Sequence, residues 1–359
     1  MLLIILIAFL SLVALIVLHE LGHFVLAKKF GVKVEEFGIG YPPRIFGKKI
    51  GETVYSLNLL PFGAFVKIKG EIGGIEDTRS FSNKPIWQRA FIILGGVISF
   101  WLISAVLLSF LMALGVPTAI GDEENHNLKE PKVQIISIAP DSPAGKEGLK
   151  AGDTIKKLQI TSYELQVTKV KEVQEFTAEH LGEEITLTVE RGKDTLDLKL
   201  VPRESPPEGE GAMGIGLVRT ALKKYPWYQA PIRGVLACGN LTVAVIQGWG
   251  YALASVIRGV PSGVQLMGPV GIFSLFAQVG QLGVNYFVQF IAIISIYLAL
   301  FNILPIPALD GGKLLFLGIE KVRRRPVSQK IEQKITTFFF LLLLALIIWV
   351  TIKDIGRLF

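Results

Sequence analysis

The stretch His19-Glu20-Leu21-Gly22-His23 lies near the end of an apolar run that begins at Met1. Residues four apart share one face of an α-helix, so the imidazoles of His19 and His23 can reach a single metal ion. Glu20 is their neighbour and fits a general base that deprotonates a metal-activated water. The pattern arises by chance in soluble helices, but ionisable side chains in a membrane-length apolar segment are costly and indicate a functional site. We therefore expect these residues to bind Zn²⁺.

The composition is typical of a membrane protein that also has a water-facing domain. Of the 359 residues, 51 % are hydrophobic and 19 % are charged, and the formal net charge is +7. Excess Lys and Arg in such a protein usually lies in cytoplasmic loops that meet anionic lipid, so we expect membrane lipid and no nucleic acid as their partner. Cys238 is the only cysteine, which excludes an intrachain disulfide and a multi-cysteine metal site.

Four segments are predicted to span the membrane, which makes the fold class a polytopic α-helical membrane protein. The first segment lacks the basic start and the small-residue cleavage site of a secretory signal peptide, so we expect it to be a transmembrane helix. Basic loops follow the first and the third segment, and the charge rule places both loops in the cytoplasm. The four predicted spans are residues 1–27, 90–115, 285–304 and 336–352.

Residues 225–259 are apolar but contain scattered Gly, Gln and Asn. An interfacial amphipathic helix anchored by Trp227, Tyr228 and Trp249 competes with a fifth span. A fifth span would move the second basic loop to the outside. The charge rule therefore favours an interfacial helix.

Residues 53–69, in the first basic loop, are rich in β-branched and aromatic side chains and turn at Pro61-Phe62-Gly63, which predicts a β-hairpin. The hairpin is either a soluble decoration or lies beside the metal and offers an edge strand to an extended peptide. The sequence leaves both alternatives open.

An inserted α+β domain is predicted outside the membrane, where the chain becomes polar and strand-forming. Its segment from Ser142 to Asp153 contains Ser-Pro-Ala and Gly-Leu-Lys-Ala-Gly-Asp and resembles the bacterial PDZ family. Such a domain either binds an extended peptide or a chain end, or acts only as a size filter. The predicted domains are residues 1–115 (two spans with the hairpin loop), 129–203 (the PDZ-like domain), 204–284 (linker and interfacial helix) and 285–359 (the last two spans).

A catalytic zinc usually has three protein ligands, so a third must come from elsewhere in the chain. His126 and His180 fall in the extracytoplasmic part, whereas Asp310 lies at the inner end of the third span, where Pro305 and Pro307 break the helix. Asp310 could also cap a helix. Because an unpaired carboxylate at that depth is costly, we predict that Asp310 is the third ligand.

Together these motifs resemble the site-2 protease family of intramembrane zinc metalloproteases, in particular the regulator of sigma-E protease type. The resemblance rests on His-Glu-x-x-His in the first span, a Pro-Phe-Gly-Ala-Phe-Val-Lys hairpin, a single PDZ-like insert and Leu-Asp-Gly after the third span. It implies zinc ligands His19, His23 and Asp310 and the catalytic base Glu20. It also implies substrate-binding residues, which are Asn302, Phe62, Gly63, Ala64 and Phe65.

The family resemblance implies a multi-pass protein of a bacterial inner membrane, with its active site near the cytoplasmic side and the PDZ-like domain outside. Its substrates would be single-span membrane proteins, such as a pre-cleaved anti-sigma factor or remnant signal peptides, cut in regulated intramembrane proteolysis. Phe100 departs from the family, since many relatives carry Asn at this place in the second span.

The alternative function is a metal-binding membrane scaffold, or pseudoprotease, that recruits partners through the PDZ-like domain. An intact Glu20 argues against it, because a pure binding site needs no base. A metal transporter is a weaker alternative because no internal repeat is visible.

Overall fold

The structure, a computed structural model, describes residues 2–71, 77–124, 128–139, 141–161, 163–192, 194–207, 209–259 and 267–356. Long apolar runs form its helices, and the polar insert forms most of its strands. The helices are α1 (Leu2–Lys29), α2 (Ile86–Leu114), α3 (Pro143–Lys146), α4 (Val170–Glu179), α5 (Ala230–Ile257), α6 (Pro269–Gln281), α7 (Val284–Ile303), α8 (Asp310–Arg323) and α9 (Gln329–Gly356). The strands are β1 (Val34–Ile50), β2 (Thr53–Ile68), β3 (Val116–Ala119), β4 (Leu128–Ile138), β5 (Thr154–Ile160), β6 (Tyr163–Gln166), β7 (Ile185–Arg191), β8 (Asp194–Leu200) and β9 (Ile215–Lys223).

Within the described ranges, five helices are long and apolar enough to cross a membrane: α1, α2, α5, α7 and α9. This agrees with a polytopic membrane protein. Four of them cover the four predicted spans. The fifth, α5, covers the segment that we predicted to be interfacial, and its length and composition suit either arrangement. The number of spans therefore stays a prediction.

The chain divides into two compact units, and the first comprises Met1–Leu107, Val235–Leu275 and Ile291–Phe359. Its small sheet is more elaborate than a simple hairpin, because the first half of β1 pairs with both halves of β2. Gly38, for example, lies opposite Ser56 on one side and Phe65 on the other. The end of α1, the hairpin, the start of α2 and α8 share a buried core that includes Ala27, Ile68, Ile92 and Leu317.

The second unit comprises Leu108–Gly234 and Phe276–Phe290. Its sheet has the order β3-β9-β4-β5-β7-β8, with β6 paired to β5. The core beneath it contains Ile155, Leu187 and Phe176 of α4. The Gly-Asp turn noted in the sequence is held by an ion pair, since Arg191 contacts both oxygens of buried Asp153 at 2.7 Å. The sheet extends beyond the predicted domain at 129–203, because β3 and β9 lie outside that range.

Candidate metal centre

Three side chains from the two ends of the chain meet in the first unit. His19 and His23, on α1, have their Nε2 atoms 3.3 Å apart. The Asp310 Oδ2 atom, at the start of α8, lies 3.3 Å from His19 Nε2 and 3.2 Å from His23 Nε2. All three residues are buried. Among the described residues, these three offer ligand atoms that all lie within 4.8 Å of one another, which is close enough to hold one metal ion.

The close approach of α1 and α2 depends on glycines. A Cβ at Gly22 would lie 2.2 Å from the carbonyl oxygen of Gly95, and a Cβ at Gly96 would lie 2.2 Å from His23 Nε2. Only residues without a side chain allow the two backbones and the imidazoles to pack this closely. The Gly95-Gly96 pair in the second span therefore positions both histidines against α2.

Two further glycines place Asp310. After α7 ends at Ile303, the prolines keep the connecting segment out of the helix. A Cβ at Gly311 would lie 2.1 Å from the Leu304 carbonyl oxygen, and one at Gly312 would lie 2.3 Å from that of Ile306. Because neither glycine has a side chain, the first turn of α8 can pack directly against the segment that connects it to α7. Asp310 is the first residue of α8, and the N-cap position belongs to Leu309, so Asp310 is not the cap.

Neighbouring groups orient the two imidazoles. His23 Nδ1 lies 2.9 Å from the Ile92 carbonyl oxygen, so its N–H is donated there and the lone pair stays on Nε2. The His19 ring stacks on Phe100, with ring centroids 4.6 Å apart and planes at 16°. Phe100, which departs from the family pattern, thus contacts a predicted metal ligand directly.

Burial raises the pKa of the Asp310 carboxyl, but the adjacent His19 and His23 side chains and the charge of Lys313 outweigh that effect, so the pKa falls below its usual range. Lys313 Nζ lies 3.8 Å from Asp310 Oδ1 and 2.7 Å from Glu71 Oε1. The site therefore combines a carboxylate ligand with a nearby charged pair.

The donor set fits a divalent zinc ion. Zinc bonds of about 2.0–2.2 Å at tetrahedral angles place neighbouring ligand atoms about 3.3–3.5 Å apart, close to the observed separations of 3.2–3.3 Å. Within the described residues, Asp310 Oδ2 is also a buried oxygen that lacks a hydrogen bond of normal geometry. Such an atom is costly unless a cation or donor satisfies it.

The predicted base, Glu20, is half-buried and follows His19 on α1. Lys313 and Asp310 lie close enough to act electrostatically on its carboxylate. On the hairpin side, burial and the Glu20 charge raise the pKa of the Tyr41 hydroxyl, which places β1 near this carboxylate as well.

The predicted substrate residues of the hairpin lie along α1. Phe62 is exposed and makes an edge-on contact with Phe9, at 6.0 Å between centroids. Phe9 is ten residues before His19, which corresponds to about 15 Å of helix. Gly63 adopts φ +97° close to Ile16, a conformation that favours glycine. The hairpin therefore packs along α1, and its role as an edge strand for an extended peptide stays a prediction.

The other predicted substrate-binding residues are Ala64, Phe65 and Asn302. Ala64 is buried, and the Phe65 ring stacks on Tyr41 at 6.2 Å. The outer edge of residues 64–68 has no strand partner within the described ranges. Asn302 lies on the last turn of α7, where its Nδ2 donates to the Leu298 carbonyl at 2.9 Å.

Of the remaining histidines, His126 lies outside the described residues, and His180, in the second unit, contacts Glu183 at 3.1 Å and packs on Phe176. Lys313 and Glu71 also belong to the surroundings of the site, although no sequence motif pointed to them. A spacing of three residues from Asp310 on one helix is the signal that could have found Lys313.

Comparison with known proteins agrees with this geometry. The family description "Peptidase family M50" matches residues 7–346. A protein of Clostridium acetobutylicum that is provisionally named a zinc metalloprotease is 36 % identical over 351 residues, which are 98 % of this chain and 97 % of that one. A similarly named protein of Clostridium perfringens is 33 % identical over 97 % of both chains. The regulator of sigma-W protease RasP of Bacillus subtilis is 29 % identical over 96 % of both.

Proposed function

The chain belongs to peptidase family M50, as the sequence motifs predicted, and we propose that it is an intramembrane zinc metalloprotease that cuts single-span membrane proteins. The observation that carries this proposal is the meeting of His19, His23 and Asp310 at one point beside an acidic neighbour on α1. A triangle of two imidazoles and one carboxylate with an open fourth position is the donor set of a catalytic zinc.

In this mechanism His19, His23 and Asp310 would hold the ion, and Glu20 would move the proton. Bound zinc would supply a Lewis acid that polarises the scissile carbonyl. Glu20 accepts a proton from the attacking water on a carboxylate oxygen, while the hydroxyl adds to the carbonyl carbon. Glu20 then passes that proton to the amide nitrogen as the C–N bond breaks, which yields a carboxylic acid and an amine.

The substrate must be extended before it can react. The peptide bonds of a transmembrane helix are shielded by their own hydrogen bonds, so the helix has to unwind locally. The free edge of β2 at residues 64–68 would pair with the unwound segment, in the manner of β-strand addition. Phe62, Gly63, Ala64 and Phe65 would form this platform, and Asn302 would contact the substrate strand.

The proposed substrate class is supported by the family, and the proposed position in the membrane is supported by the basic loops. The Bacillus subtilis relative is named a regulator of sigma-W protease, which supports a membrane-anchored anti-sigma factor as substrate. Remnant signal peptides belong to the same chemical class. The basic loops after the first and third predicted spans support an active site near the cytoplasmic side of a bacterial inner membrane, with the PDZ-like domain outside.

The PDZ-like domain would bind a peptide or chain end in a groove of its own unit. This groove lies between α4 and the start of β9 and encloses about 370 Å³. Its walls include Val173 and Thr177 of α4 and Ile215 and Leu217 of β9. The start of β9, which precedes its pairing with β3 at Thr220, lies beside the apolar face of α4 and suits an extended peptide. A role as a passive size filter is the competing proposal.

The test is cleavage of a labelled single-span substrate by the purified, reconstituted protein and by its Glu20→Gln variant. We expect Glu20→Gln to retain zinc and to lose about 10²- to 10⁴-fold in rate, because general base catalysis contributes that much. Glu184→Gln is the matched control, since it removes a carboxylate that is 60 % exposed in the second unit. Equal cleavage by wild type and Glu20→Gln would refute the mechanism.

The same experiment separates the scaffold alternative. If neither protein cleaves any single-span substrate while both bind zinc stoichiometrically, a metal-binding scaffold explains the observations better. Binding of candidate peptides to the groove at α4 would then be the function to measure.

A further inference from the structure

The two oxygens of Asp310 face different partners. Oδ2 points to the histidines, 3.3 Å from His19 Nε2 and 3.2 Å from His23 Nε2. Oδ1 faces the ammonium group of Lys313, one turn further along α8, at 3.8 Å. The terminal torsion of an aspartate is broad, and its two oxygens are equivalent, so the side chain alone does not fix the orientation of the carboxylate plane towards the histidines.

Lys313 is itself held by the segment that follows the hairpin. Its Nζ lies 2.7 Å from Glu71 Oε1, and Glu71 comes three residues after β2 ends at Ile68. Lys313 and Glu71 both line a cavity of about 500 Å³ that also includes Ala308, two residues before Asp310. The Lys313 side chain is 44 % exposed to this cavity, so it is ordered by its two carboxylate partners rather than by close packing.

We propose that Lys313 is a positioning residue that holds Asp310 Oδ1 and so presents Oδ2 to the metal, with Glu71 fixing Lys313 in place. The proposal rests on the metal site described above. It also predicts that the end of the hairpin, through Glu71, affects metal affinity although Glu71 is not a ligand. Groups that orient a ligating carboxylate typically change metal affinity by about 10- to 100-fold when they are removed.

The positive charge of Lys313 has the opposite effect on metal affinity. The ammonium of Lys313 repels a divalent cation, so its removal would strengthen binding if charge repulsion were the larger effect. Glu71 lies closer to Lys313 than Asp310 does and largely offsets this repulsion. We therefore expect orientation of the carboxylate to dominate.

The experiment measures Zn²⁺ affinity of the full-length protein in detergent by competition with a chelator, which does not depend on proteolysis. We expect Lys313→Met to weaken binding by about 10- to 100-fold. Lys313→Arg retains the charge and finds room in the cavity, so its affinity should lie much closer to wild type. Lys321→Met is the matched control, because it removes an exposed lysine from the same helix, and it should bind zinc like wild type.

Glu71→Gln tests the second step and serves as an independent variant should Lys313→Met fail to fold. In the wild-type background it should weaken binding, but less than Lys313→Met does. In the Lys313→Met background it should change the affinity by no more than about two-fold, because residues that act as one unit are not additive.

Three results would overturn the proposal: unchanged zinc affinity in folded Lys313→Met, tighter binding in that variant, or an equal effect of Glu71→Gln in both backgrounds. Failure of the proposed function looks different. In that case zinc affinity follows the pattern expected for Lys313 and Glu71, while no substrate is cleaved by the wild-type protein.

Discussion

Gly96→Ala is expected to disrupt the metal site while leaving the α2 helix intact. A Cβ at residue 96 would lie 2.2 Å from His23 Nε2 and 2.7 Å from His19 Cε1. Cβ atoms essentially never approach other heavy atoms within 3.0 Å, so the His23 ring must recede by about 0.8 Å, from 2.2 to 3.0 Å. Metal–ligand distances tolerate only about 0.2 Å. Alanine also favours a helix over glycine by about 1 kcal/mol, so helix propensity does not oppose the change.

The assay has two readouts, zinc affinity by chelator competition and cleavage of a single-span substrate. We expect at least a tenfold loss of affinity, and about a 10²-fold loss of rate, since a misplacement of about 1 Å costs that much. Gly318→Ala on α8 is the control, because a Cβ at that position meets no atom within 4 Å. If Gly96→Ala binds zinc as tightly as wild type, the contact between α2 and the histidines does not position the ligands as argued.

Two further predictions concern the surroundings of the site. Phe100→Ala removes a fully buried ring that stacks on His19. It should lower the free energy of unfolding by about 3–5 kcal/mol, measured by denaturant titration in detergent. An unchanged midpoint of the titration would contradict the packing described. Glu52, in the hairpin turn, accepts hydrogen bonds from Lys28 and Arg79, which lower its pKa to about 2. A lowered carboxylate pKa stabilises the folded state above its unfolded value of about 4.5, and this stabilisation is lost as the pH falls towards 2. The difference in melting temperature between wild type and Glu52→Gln should therefore be constant above about pH 5 and shrink below it, and a difference that is independent of pH would contradict the ion pair.

The hairpin shows how much of the fold can be predicted from the sequence. Its alternating β-branched and aromatic residues predict β-structure at residues 53–69, divided into two strands at Pro61-Phe62-Gly63. The structure instead has one strand there, β2 (Thr53–Ile68), and its partner β1 (Val34–Ile50) comes from the preceding part of the loop. The double pairing of β1 is a consequence of long-range register, seen in Gly38 opposite both Ser56 and Phe65, and no local pattern encodes it. The second sheet shows the same limit, because β9 is separated from its neighbour β4 by most of the insert.

For the metal centre, sequence motifs alone predict the residues that have local signatures. Helical spacing pairs His19 with His23, and the cost of a carboxylate at membrane depth selects Asp310. The match to peptidase family M50 covers residues 7–346. Such features can be predicted from the sequence because they depend on periodicity and on the solvent in which a segment lies.

The way in which these residues are held depends on contacts between distant parts of the chain. The stacking of Phe100 on His19, the hydrogen bond from His23 to the Ile92 carbonyl and the chain of contacts from Glu71 through Lys313 to Asp310 each join segments far apart in sequence. Their distances depend on how closely two backbones approach, and that is set by packing around Gly22, Gly96 and Gly311. His-Glu-x-x-His thus specifies the metal chemistry, while contacts between distant helices determine whether the ligands meet.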